Sequence, residues 1–265
     1  MSKHKKKRAG KKQPASRQPS VPQPNAPQPR PRIWELDAFR GLCILGMVIV
    51  HFIYDLTDLY RVVDWKCPAW FAALQYWGGV VFLLISGICV TLGCHHVRRG
   101  LILIGCGFLC TAVTFGMFYL NLAGKAIIIW FGVLHCLGCC MILWHFFRKL
   151  STPLMALCSA LLIGVGFWLR GQIFTFPWLM PLGFLYKGFA SSDYFPLIMN
   201  LGFFLVGALL GRTLYKHKRT LFPRTKAKSR GVRFLITCGR HSLWIYLLHQ
   251  PVLSGICLLL KLAVG

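Results

Sequence analysis

The sequence predicts an all-α fold: a polytopic bundle of about seven transmembrane helices whose N-terminus lies in the cytoplasm. Of the 265 residues, 56% are hydrophobic, yet the formal net charge is +25. A soluble globule does not combine these two properties, so the apolar and the charged residues must be separated along the chain. Apolar runs do alternate with short basic stretches, and each run approaches the roughly 20 residues that cross a hydrocarbon core about 30 Å thick.

Seven apolar runs have the length and composition of membrane spans. They cover residues 37–56, 69–93, 99–120, 126–147, 153–169, 195–212 and 241–261. A further apolar stretch, residues 174–189, is interrupted by Pro177, Pro181 and Gly183. We interpret this stretch as an interfacial or re-entrant segment rather than an eighth span.

The distribution of basic residues predicts the orientation, because short cytoplasmic loops carry an excess of Lys and Arg. With the N-terminus inside, the cytoplasmic side receives the basic tail, the Arg98–Arg99 pair, the Arg148–Lys149 pair and the basic stretch 212–240. Only six basic residues then face the other side: Arg61, Lys66, Lys125, Arg170, Lys187 and Lys261. An odd number of spans places the C-terminus outside.

Residues 1–31 differ in composition from the rest of the chain. A Lys-rich block is followed by a Pro/Gln tract, and such a segment cannot bury a core. We predict a disordered cytoplasmic tail, followed by a transmembrane domain over residues 32–265. The tail's charge is explained by its role in orientation; docking on anionic lipid is the alternative, and nucleic-acid binding is not expected.

The first span concentrates the polar residues that are costly inside a bilayer. The chain has six acidic residues, and four of them flank or enter this span: Glu35, Asp37, Asp55 and Asp58. Arg40 and His51 are eleven residues apart, which places them on one face about 16 Å apart along the helix. Asp37 lies three residues before Arg40, and we expect it to be the counter-ion of Arg40. Asp55 lies four residues after His51, and we expect it to orient the His51 ring.

This polar face has three interpretations. An imidazole near neutral pH is suited to general-base or covalent acyl-transfer chemistry. A line of Asp, Arg and His across a membrane is also what a proton-coupled transporter or flippase requires. The third interpretation is a scaffold held together by polar contacts.

Cysteine spacing offers a possible metal site, but we do not expect one. Cys136 and Cys139 form a CxxC beside His135, which is compatible with metal binding. The two cysteines lie in an apolar run, however, where cysteine usually packs as a small hydrophobic residue.

Four segments resemble, in the same order, a known family. They are RIWELDAFRGLCILGMVIVHFIYDL at residues 32–56, FGVLHCLG around His135, SSDYFPLIMNLGFFLVGALLGR around Asp193 and GRHSLWIYLLHQP around His249. They resemble the heparan-α-glucosaminide N-acetyltransferase catalytic-domain family in its short bacterial branch. The Arg40–His51 spacing is also similar to that of integral-membrane O-acyltransferases that modify surface sugars.

The resemblance implies a membrane acyltransferase of the bacterial inner membrane. It would transfer an acyl group, in the first place acetyl, from cytoplasmic acyl-CoA to a sugar, a lipid-linked molecule or another hydroxyl or amine acceptor near the outer face. Arg40 and His51 would form the central pair, supported by Asp37 and Asp55. A possible secondary site comprises His135, Asp193, Arg240 and His249. Cations at the cytoplasmic face would hold the CoA phosphates, and the candidates are Arg98, Arg99 and Arg212.

Overall fold

A computed structural model describes residues 33–65, 68–122, 124–223 and 229–264, and the predicted tail 1–31 lies outside these residues. The described residues form eight α-helices. In chain order they are α1 (Trp34–Tyr54), α2 (Ala69–Leu92), α3 (His96–Tyr119), α4 (Val133–Phe147), α5 (Thr152–Arg170), α6 (Leu197–Leu214), α7 (Arg230–Arg240) and α8 (Ser242–Val264). Within this part of the chain, β-pairing is limited to two isolated bridges.

Six helices are long and apolar enough to cross a membrane: α1, α2, α3, α5, α6 and α8. Helix α4 is apolar but shorter. These helices confirm the predicted polytopic helical bundle, and the chain is an integral membrane protein. The seventh crossing through α4 and the cytoplasmic N-terminus remain predictions.

The fourth predicted span begins later than expected. Helix α4 starts at Val133 instead of residue 126, because Lys125–Ile127 form a 3-10 turn and the backbone after it is extended. At about 1.5 Å per residue, α4 is about 22 Å long and too short for the hydrocarbon core. Non-helical backbone at membrane depth is tolerated where protein surrounds it. Ile128 and Phe131 meet that condition, since they are 1% and 8% exposed.

Side chains satisfy the backbone of this extended segment. The Thr111 hydroxyl on α3 donates to the Ile129 carbonyl (2.6 Å), and the Ile129 N–H donates to the Thr114 hydroxyl (3.1 Å). In the loop that precedes α6, the Ser191 hydroxyl donates to the Ile128 carbonyl (2.9 Å). The segment is therefore held between α3 and the loop that precedes α6.

That loop contains the apolar stretch 174–189. It has a 3-10 turn at Met180–Leu182 and a bridge between Phe174 and Tyr186, and no α-helix. It is therefore not an eighth helical span. Instead, it contributes lining residues to the site described below.

Helix α7 was not predicted, because its residues were interpreted as part of a basic loop. It is amphipathic and packs against the beginning of α1. Two glycines permit this packing. A Cβ atom on Gly41 would overlap the Leu235 carbonyl, and one on Gly239 would overlap the Asp37 carbonyl. Small residues at such crossings let two backbones approach closely.

We expect Gly41→Ala to destabilise the protein by about 1–3 kcal/mol, because the added methyl group is forced against a backbone atom that cannot move aside. The matched control is Gly46→Ala on the same helix, where a Cβ atom meets open space. Thermal unfolding in detergent measures both variants. Equal stability of the two would contradict the close α1–α7 packing.

Candidate functional site

The part of the bundle that the structure describes contains two cavities that Arg40 and His51 help to line. The larger has a volume of about 770 Å³ and lies among α1, α2, α6 and the loop before α6. Most of its lining is apolar, and its polar residues include His51, Gln75 and Asp193. We call it the large cavity.

The second cavity has a volume of about 260 Å³ and lies where α1, α3 and α8 begin. Three arginines line it, Arg40, Arg99 and Arg240, and we call it the basic cavity. Three residues line both cavities and separate them: Phe82, Val133 and Tyr246. We call these three residues the partition. Arg40 and His51 thus lie in different cavities, on either side of the partition.

Arg40 is bonded differently from the sequence prediction. Its Nη2 donates to the Ser242 hydroxyl (3.2 Å), and its buried Nε has no partner. Asp37 pairs with Arg240 instead, at 3.4 Å. The prediction of an Asp37–Arg40 pair is therefore wrong, because the packing of α7 on α1 brings a second arginine to Asp37. Arg40 itself lines the basic cavity, held there by its bond to Ser242.

His51 lies beside a second histidine. The rings of His51 and His249 contact each other edge-on, with their centroids 5.0 Å apart. The His249 Nδ1 lies 2.6 Å from the Tyr246 carbonyl oxygen. A carbonyl can only accept, so this Nδ1 carries a proton, and in the neutral ring Nε2 then retains its lone pair. That Nε2 is buried without a partner. The ring contact places two imidazoles together beside the large cavity.

Asp55 does not orient His51 as predicted. It is fully buried in a π-helical turn, Asp55–Leu59, that ends α1. Both of its carboxylate oxygens accept from the Gln250 amide at 3.0 Å. The i+4 rule describes contacts within a single helix, whereas the amide that donates to Asp55 belongs to α8. Asp55 thus ties the end of α1 to α8.

Asp193 connects three parts of the fold. Its Oδ2 accepts from the Val133 N–H (3.0 Å) at the start of α4 and from the Tyr246 hydroxyl (2.9 Å) on α8. Burial raises the pKa of Asp193 above its usual range, while these two donors act in the opposite direction. A carboxylate at the N-terminus of a helix is favoured by the helix dipole. Asp193 therefore fixes two residues of the partition.

His135 is packed at the start of α4. Its Nδ1 accepts from the Gly132 N–H (3.3 Å), and its ring contacts those of Phe108 and Phe131. It is buried and is not among the lining residues of either cavity. This position favours a structural role over the secondary catalytic role that the sequence suggested.

The three predicted phosphate-binding cations occupy different places. Arg99 lines the basic cavity, while Arg98 is exposed and lies outside both cavities. Arg212 donates to the Arg148 carbonyl (2.7 Å) and to the Leu150 carbonyl (2.9 Å). Its guanidinium therefore closes the turn between α4 and α5, a different role from the predicted one.

A metal site is not formed by the residues that the structure describes. In that part of the chain, no three His, Cys, Asp or Glu side chains are grouped so as to hold a metal ion. Cys136, beside His135, is fully buried in the hydrophobic core.

Comparison with known proteins identifies the family. The model of the family described as heparan-alpha-glucosaminide N-acetyltransferase, catalytic, matches residues 32–251. The chain belongs to this family. No curated protein and no solved structure matches the chain. The family match and the apolar helices together make the chain a membrane acyltransferase-like protein.

The match to the N-acetyltransferase family extends from the beginning of α1 to Pro251 in α8. It therefore includes both cavities and the partition. Sequence reasoning missed the roles of Tyr246, Gln250 and Ser242, which bond to residues it did select. Two of the three had a signal in the sequence, because Tyr246 and Gln250 share one face of the last span with His249.

We expect Tyr246→Phe to destabilise the bundle by about 0.6–2 kcal/mol, the range for a side-chain hydrogen bond within a membrane protein. The matched control is Tyr119→Phe, since Tyr119 is 77% exposed. A double-mutant cycle with Asp193→Asn in detergent unfolding isolates the pair. Additive losses in that cycle would contradict the Tyr246–Asp193 bond.

Proposed function

We propose that this protein is a transmembrane acyltransferase that moves an acetyl group from acetyl-CoA in the basic cavity to a hydroxyl or amine in the large cavity. One observation carries the proposal. A cavity lined by arginines and a cavity lined by an imidazole meet at a partition of three side chains. The acyl donor, which carries phosphates, and the acyl acceptor, which needs a base, thus have adjoining binding sites.

The basic cavity suits the donor. Its 260 Å³ is less than a typical small-molecule pocket of about 300–1,000 Å³, so it accommodates the pantetheine arm while the nucleotide lies at its mouth. Arg99 and Arg240 are exposed there, and their positive charge is complementary to that of the phosphates. In the predicted orientation this mouth opens to the cytoplasm. Arg40 also lines this cavity and adds a third positive charge near the donor.

His51 suits the role of general base. The acceptor's hydroxyl or amine attacks the thioester carbon, the new C–O or C–N bond forms, and the C–S bond breaks. His51 takes the proton from the nucleophile and returns it to the departing CoA thiolate. A route through a transiently acylated His51 uses the same residue. His249, in ring contact with His51, positions that imidazole.

Arg99→Ala should weaken acetyl-CoA binding about tenfold, equivalent to about 1.4 kcal/mol, because one charge-assisted phosphate contact is lost. The adjacent Arg98→Ala should bind as the wild type does, since Arg98 lies outside the basic cavity. Calorimetry on the detergent-purified protein compares the three. Equal weakening by both variants would indicate general surface charge instead of a donor site.

His51→Ala should slow acetyl transfer at least about 100-fold, the lower range for loss of a general base, and leave acetyl-CoA binding unchanged. His145→Ala is the control, because His145 is exposed on α4 away from both cavities. Release of CoA thiol in native membranes measures transfer. Unchanged release would contradict the role of His51. Substrate movement that depends on a pH gradient and not on acyl-CoA would instead support a proton-coupled carrier.

A further inference from the structure

The large cavity is lined in part by strongly exposed side chains of two membrane-spanning helices. Three of its lining residues, Leu42 on α1 and Leu74 and Val81 on α2, are 55%, 52% and 44% exposed on the surface of the bundle. All three belong to membrane-spanning helices. These three residues therefore combine strong exposure with a place in the cavity wall between α1 and α2.

Two glycines leave the space between these helices open. Gly46 on α1 and Gly78 on α2 line the large cavity, and a Cβ atom built on either meets nothing within 4 Å. This differs from the tight glycine contacts elsewhere: a Cβ atom on the neighbouring Gly79 would overlap the Phe195 ring. Gly46 and Gly78 thus border open space at the cavity instead of making a packing contact.

The polar lining is unevenly distributed. His51, Gln75 and Asp193 lie toward the side of the membrane where α1 ends and α2 begins. The remaining surface, from Leu42 to Val81, is predominantly apolar. A ligand that matches this cavity has a polar head at His51 and a hydrocarbon tail.

We propose that the acceptor is a lipid-anchored molecule, whose head bears the hydroxyl or amine and whose hydrocarbon tail enters laterally between α1 and α2. This inference rests on the proposed function, because it names the substrate class of the same site. A soluble sugar would leave most of the apolar lining in contact with water, at a cost that a hydrocarbon tail removes. Lateral entry also allows the tail to remain in the bilayer while the head reaches His51.

Photo-crosslinking in nanodiscs tests the entry route. The probe is a phosphatidylethanolamine with a diazirine on one acyl chain, and the sites of labelling are mapped by mass spectrometry. We expect labelling of Val80 and Met199, which line the cavity but are only 4% and 3% exposed, so lipid outside the bundle cannot reach them. Gly78→Phe should reduce this labelling at least about tenfold, because the new ring fills that open space. The matched control is Gly105→Phe on α3, which also has open space but lies outside both cavities.

Labelling of Val80 and Met199 no higher than in the Gly78→Phe variant would overturn the proposal. A second outcome would also overturn the proposal: labelling that is displaced by palmitoyl-CoA but not by hexadecyl β-glucosaminide. That result would assign the cavity to the acyl chain of the donor. Acetyl-CoA binding is measured on the same samples. Binding retained without cavity labelling rejects only the lipid acceptor, whereas cavity labelling without acetyl-CoA binding rejects the proposed acyltransferase.

Transfer to matched acceptors gives a second readout. Hexadecyl and methyl β-glucosaminide share one head, and only the first has a hydrocarbon tail. We expect acetylation of the hexadecyl compound to exceed that of the methyl compound at least tenfold and to fall in Gly78→Phe but not in Gly105→Phe. Transfer to the methyl compound that is as fast and is unaffected by Gly78→Phe would contradict a lipid-anchored acceptor.

Discussion

The site depends on how the chain satisfies its backbone at the break before α4. Unpaired N–H and C=O groups are costly in a bilayer, so non-helical backbone needs partners from the protein. The loop before α6 supplies them, with the Ser191 hydroxyl on the Ile128 carbonyl and the Phe195 N–H on the Phe131 carbonyl. Asp193 lies between these two contacts and is thereby placed at the first N–H of α4.

The position of Asp193 determines the partition. Because it bonds to Val133 and to the Tyr246 hydroxyl, it holds the start of α4 and one face of α8 at the same depth. The basic cavity lies on one side of these residues and the large cavity on the other. The late start of α4 therefore has a structural consequence: its first residue, Val133, lies in the partition between the two cavities. The tie between Asp55 and Gln250 fixes α8 against the end of α1, and His249 lies beside His51 between these two anchors.

Sequence reasoning predicted the helices where apolar length alone decides the structure, as in α2 and α5. It failed at α4 because the extended segment is as apolar as a helix, and its hydrogen bonds come from Thr111 and Ser191, which are distant in sequence. It missed α7 because the basic residues of that segment suggested a loop. The first-span residues were selected because charges are rare in membranes, and the structure places Arg40 and His51 in the two cavities. Their partners could not be predicted, since spacing rules consider one helix at a time.

Determination of the structure with CoA bound tests the central claim most directly, that the two cavities divide donor and acceptor between them. The account predicts the phosphates near Arg99 and Arg240, the pantetheine arm inside the basic cavity, and the thiol at the partition beside Tyr246. The large cavity would remain free for the acceptor. CoA bound in the large cavity, or on a surface remote from both cavities, would contradict the account.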